Sequence, residues 1–184
     1  ERALQQVPSD GWVLHLDADT VLPGRFRHEL DRAHLDPAKL YGCDRFVVRG
    51  WDRWQRLLRS GWLLNPYSGH PHVAGAPAGY ELGVRWAGQD GYVPIGFFQL
   101  WHRLGGAEEW RGARVKPYAT GHGKACRTDV QFGLQWDRRD RVLIPELFVG
   151  HLESDDAVTG VNWKGRQSAR FGPGVRESAR RGVS

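Results

Sequence analysis

Methionine is absent from all 184 residues, and cysteine occurs only twice, at Cys43 and Cys126. Two thiols are too few for a disulfide scaffold or a cysteine zinc site, so both are expected to be reduced and structural. The chain opens Glu1-Arg2-Ala3 and carries no Met anywhere, so it is expected to be part of a longer translation product. Long apolar runs are missing as well. No stretch approaches the roughly 20 residues a bilayer needs, and residues 1 to 10 lack the basic start and apolar middle of a secretory signal. The expectation is a cytoplasmic protein with no transmembrane segment in this chain.

An excess of one charge is also lacking over most of the sequence. The formal net charge is +5, from 26 Lys and Arg against 21 Asp and Glu. Beyond residue 160, Lys164, Arg166, Arg170, Arg176, Arg180 and Arg181 face the single anion Glu177, so residues 1 to 160 carry 20 charges of each sign. A nucleic-acid binder is basic over a face of its fold, and here the basicity is confined to a tail; no nucleic-acid partner is expected. What is present, 40% hydrophobic and 26% charged residues with 24 glycines, describes a globular domain with a real core. Nine tryptophans fit either core filling or stacking on flat polar ligands.

Apolar Gly11 to Leu16 reads as a short buried strand running into the acidic turn Asp17-Ala18-Asp19-Thr20. Pro23 suits a helix start, with Phe26, Leu30 and Ala33 at helical spacing before Asp36-Pro37. A strand is predicted over Leu40 to Arg49, then a helix through Trp51, Trp54, Leu57 and Leu58 that Ser60-Gly61 can stop. Residues 63–79 read as an ordered loop, Tyr80 to Trp86 and Pro94 to His102 as strands, and 104–124 as a long irregular connection. Thr128 or Asp129 can cap a helix through Trp136, and Val142 to Ile144 and Leu147 to His151 read as strands separated by Pro145-Glu146. Mixed strands and helices in this order predict an α/β domain.

Some familiar patterns fail. Gly121-His122-Gly123-Lys124 lacks the glycine a phosphate loop needs at Tyr118 and the hydroxyl it needs at Ala125. His28-Glu29 has Arg32 where a zinc-protease helix needs histidine, and His70-Pro71-His72 is more simply an exposed loop than a metal pair. Asp17 and Asp19 are more informative: two carboxylates two residues apart at a strand's end can hold a hard divalent cation that neutralises a diphosphate. A turn or capping cluster explains the same spacing equally well.

The flanking residues tip the balance. The segment Trp12 to Pro23 (Trp-Val-Leu-His-Leu-Asp-Ala-Asp-Thr-Val-Leu-Pro) resembles the DxD segment of GT-A glycosyltransferases, especially the family 2-like group. Gly96 to His102, Arg127 to Phe132 and Val149 to Ser154 also look like this group, in the same order, so the resemblance covers most of residues 11–166. It implies a mixed sheet flanked by helices and a metal-dependent transfer, inverting in type. A sugar would pass from a nucleotide-diphosphate donor to a hydroxyl acceptor, whether glycan, lipid or small molecule. It implies that Asp19 binds Mn²⁺ or Mg²⁺ directly, that Asp17 lies nearer the ribose or a metal-bound water, and that His151 is a further metal ligand. A mixed carboxylate and imidazole shell suits Mn²⁺ better than Ca²⁺; without the resemblance, His151 would read as a strand-end histidine bonded to backbone. Asp129 is implied as the general base that takes the acceptor's proton, against the plainer reading of a helix N-cap. Trp163, Lys164 and Arg166 are implied to close over the donor and reach its phosphates, so that 1–160 forms the domain and 161–184 a basic lid or tail.

Only 16 residues precede Asp17, where a complete domain of this type has roughly a hundred, so the nucleotide-binding segment is expected to be missing at the N-terminus or supplied elsewhere, for instance by a homo-oligomer. Two other classes compete: a non-catalytic carbohydrate-binding or assembly module with the same fold, and a metal-dependent phosphoesterase built on the same acids.

Overall fold

The computed structural model describes residues 11–66, 76–83, 85–103 and 125–153, with side chains in the last segment described from Thr128 onward. Along the chain these form β1 (Trp12–His15), β2 (Thr20–Val21), α1 (Phe26–Arg32), β3 (Leu40–Arg49), α2 (Gly50–Ser60), β4 (Glu81–Leu82), β5 (Ala87–Gly88), β6 (Gly91–Tyr92), β7 (Gln99–His102), α3 (Ala125–Gly133) and β8 (Arg141–Glu153). The fold is mixed α/β. No helix among the described residues is long and apolar enough to cross a membrane. Backbone contacts divide the chain into two units. Of the described residues, the first unit holds 11–18, 30–43, 85–103 and 125–144, and the second holds 19–29, 44–66, 76–83 and 145–153.

In the first unit β1 pairs antiparallel with β7, from Trp12 opposite His102 to His15 opposite Gln99, and Leu100 of β7 pairs with Tyr41 of β3. Val13, Leu40, Trp101, Phe132 and Trp136 form its core. The Phe132 ring meets Trp101 edge-on at 4.9 Å and Trp136 at 5.2 Å, an arrangement that favours aromatic pairs beyond the area they bury. Phe97, Phe98 and Trp101 are buried, so the aromatic run before and within β7 is core. Cys43 is a buried free thiol, as expected; the Cys126 side chain lies outside the described residues.

In the second unit Phe46 and Val47 of β3 pair antiparallel with β4. On the other side β3 neighbours β8, which pairs antiparallel with β2. Phe46, Val48, Leu57 and Trp62 form the core, flanked by Trp54, Tyr80, Phe148 and Leu152. Gly150 keeps β8 bare where a Cβ would lie 3.3 Å from the Phe46 ring. Helix α2 turns Leu57 inward and leaves Leu58 exposed. It ends at Gly61, whose φ of 74° is the left-handed conformation glycine adopts without a Cβ penalty.

Several sequence-based expectations need correction. Among its described residues the segment from Tyr80 to Trp86 contains only the two-residue β4, and the unforeseen hairpin β5–β6 follows it. β8 is one strand of 13 residues that continues through Pro145-Glu146, both exposed; proline is tolerated where its missing N–H is not needed in the ladder. α3 begins at Ala125, so neither Thr128 nor Asp129 caps it. The acidic turn leads into the short strand β2 before α1.

Candidate metal centre

β2 is short, yet its register fixes the centre. Thr20 stands opposite His151 and Val21 opposite Gly150, while the Leu152 amide donates to the Asp19 carbonyl at 2.8 Å. That pairing brings His151 Nε2 to 3.5 Å from Asp19 Oδ1. His151 is 4% exposed. Asp17, in the first unit, precedes Asp19 by two residues, just beyond the end of β1. The Asp19 carboxylate and the His151 imidazole form a donor pair that can bind a divalent cation.

Behind His151 lies a charge pair that sequence reasoning missed. Glu153, fully buried, is two residues on along β8 and shares the His151 face, because successive strand side chains alternate. Its Oε1 is 3.4 Å from His151 Nδ1, and its Oε2 accepts a hydrogen bond from Arg49 Nη2 at 3.3 Å. The same guanidinium is 3.8 Å from Glu81. Burial works to raise the Glu153 pKa, but the His151 and Arg49 interactions outweigh it and hold the carboxyl below its ordinary range. No sequence pattern signals this pairing, since Arg49 and Glu153 are 104 residues apart.

Asp129 belongs to the first unit, inside α3. Gly96 donates its backbone N–H to the Asp129 carboxylate, and a Cβ on Gly96 would stand 2.7 Å from Asp129 Cγ. Gln99, wholly buried on β7, donates from Nε2 to the Asp129 carbonyl at 3.0 Å and to the Pro94 carbonyl at 2.8 Å. Burial, and then the negative charge of Asp17, push the Asp129 pKa up; His15 and the Gly96 N–H offset only part of this. Gly96 and His15 both lie within the segments singled out in the sequence, but neither carried an assigned role. Trp163, Lys164 and Arg166 lie outside the described residues, as do His70, His72 and the 161–184 tail.

Comparison with protein-family descriptions, with curated proteins and with solved structures finds no match for this chain.

Proposed function

We propose that the chain carries the metal and acceptor side of a GT-A-type glycosyltransferase, with 1–160 as the domain and 161–184 as a basic lid or tail. The observation that supports this most is the closeness of Asp19 and His151, two residues singled out for their resemblance to a nucleotide-sugar metal site. In this proposal Asp19 and His151 hold Mn²⁺ or Mg²⁺, and Asp17 binds it or the donor ribose. The cation would supply positive charge to a departing nucleotide diphosphate. Asp129 takes the proton of the acceptor hydroxyl as that oxygen attacks the anomeric carbon. Its raised pKa, with Asp17 among the causes, makes it a better proton acceptor than an ordinary carboxylate. Lys164 and Arg166 are proposed to meet the diphosphate, with Trp163 closing over it.

The test uses the natural full-length protein with a panel of nucleotide-diphosphate sugars and Mn²⁺. Asp19→Ala and Asp129→Asn should each lower donor consumption by about 100-fold or more, the scale of a lost general base or metal ligand. Undiminished transfer in both variants removes the mechanism. Calorimetry with a nucleotide diphosphate, with and without Mn²⁺, tells the competing classes apart. Metal-linked nucleotide binding belongs to the transferase, and glycan binding indifferent to metal belongs to a non-catalytic module. Hydrolysis of simple phosphate esters without an acceptor belongs to a phosphoesterase.

A further inference from the structure

The pair behind His151 carries an inference that deepens the proposed metal site and rests on it. His151 is buried, and its two ring nitrogens face two different carboxylates: Nε2 lies 3.5 Å from Asp19 Oδ1, and Nδ1 lies 3.4 Å from Glu153 Oε1. A neutral imidazole has one N–H and one lone pair, so these neighbours cannot both be served by hydrogen-bond donation. Neither His151 Nδ1 nor Glu153 Oε1 has a hydrogen-bond partner within ordinary limits, and both atoms are shut off from water. Two buried polar atoms at 3.4 Å that lack any other partner gain by closing on each other, because an unsatisfied buried group costs far more than a long hydrogen bond. Glu153 is in turn anchored by Arg49 at 3.3 Å on its other oxygen.

We infer that Glu153 is a positioning residue for the metal site: by accepting from Nδ1–H of His151, it fixes the tautomer whose bare Nε2 faces Asp19. A carboxylate behind a ligating histidine sets ring orientation and tautomer, and its loss costs metal affinity about 10- to 100-fold. Arg49 sets which oxygen of Glu153 is left for the imidazole. Glu153 touches neither the proposed cation nor a substrate, so its influence passes through His151 alone.

The decisive variant is Glu153→Gln, which conserves shape. With the amide oxygen turned to the Arg49 guanidinium, the amide NH₂ faces Nδ1 and donates to it, which drives the histidine proton onto Nε2 and removes the lone pair from the metal side. Nitrogen NMR of the full chain labelled at histidine, at a pH where imidazoles are neutral, should show His151 protonated at Nδ1 in the unaltered protein and at Nε2 in the variant. Titration with Mn²⁺ alone, read by the electron paramagnetic resonance of the free ion, should show affinity about 10- to 100-fold lower in Glu153→Gln. A proton on Nε2 in the unaltered protein overturns the inference, and so does Mn²⁺ affinity unchanged within twofold in a folded variant. The tautomer measurement on the unaltered chain needs no variant, so misfolding of Glu153→Gln would not protect the inference. Failure of the unaltered full-length protein to bind Mn²⁺ overturns the metal site itself, which the tautomer of His151 does not judge.

Discussion

The carboxylate of Asp129 fills the space that a side chain on Gly96 would occupy. A Cβ there would come within 2.7 Å of Asp129 Cγ, and the Gly96 N–H donates to the same carboxylate. Gly96→Ala should therefore push the Asp129 side chain aside and destabilise the fold by about 1–3 kcal/mol, the usual cost of overpacking a filled site. Urea unfolding measures that loss. If Asp129 is the base of the proposed transfer, the same variant in the full-length protein should also lower that transfer.

Asp129 also gives a pH signature. Its folded pKa lies above the ordinary value of 3.8, so the folded state holds the proton more tightly than the unfolded chain. The folded state therefore loses stability as pH rises from that ordinary value through the raised one. Asp129→Asn removes the ionisation. Its melting temperature should match that of the unaltered protein near pH 3 and exceed it at pH 7; a difference that does not grow with pH would contradict the raised pKa.

The Arg49–Glu153 pair behaves in the opposite sense. Arg49→Met leaves Glu153 buried with one of its two partners, the guanidinium, gone, which should cost about 1–3 kcal/mol at pH 7. That is less than the cost of breaking a fully buried pair, since the Arg49 side chain is 37% exposed. Glu153 titrates below its ordinary 4.5, so the stability it supplies is present above that value and is lost as pH falls through the lower folded value. Denaturant unfolding at pH 7 and at about pH 3 should show the variant's deficit shrinking in acid.

A bound divalent cation should stabilise the fold. Mn²⁺ at about 100 times its dissociation constant adds about 2.7 kcal/mol, and thermal melts should rise accordingly in the unaltered protein. His151→Ala and Asp19→Ala should abolish the rise. A shift of equal size in both variants would place the cation elsewhere.

In the core of the second unit, Leu57→Ala should cost about 2–5 kcal/mol, because Leu57 is wholly buried among Phe46, Val48 and Trp62. Gly61→Ala should cost about 1 kcal/mol, because its φ of 74° places a Cβ in strain although nothing lies within 4 Å of it. Chemical denaturation of the two variants separates a cavity cost from a backbone cost.

What the sequence by itself determined is local. The apolar run ending at Arg49 gives β3 with both ends in place, Ser60-Gly61 stops α2, and the stretch before Asp17 is a strand. Each follows from neighbouring residues, whose periodicity and turn chemistry report which side faces the core. Asp17 and Asp19 were legible as a pair because one intervening residue holds them together. Tertiary structure alone decided the rest. His151 reaches Asp19 through the register of β2 on β8, and Glu153 meets Arg49 across 104 residues. Asp129 acquires its raised pKa from burial and from Asp17 rather than from a capping position. Strand register and burial are properties of the assembled sheet and helices, and the same residues in a different pairing would have neither the contacts nor the shifted charges.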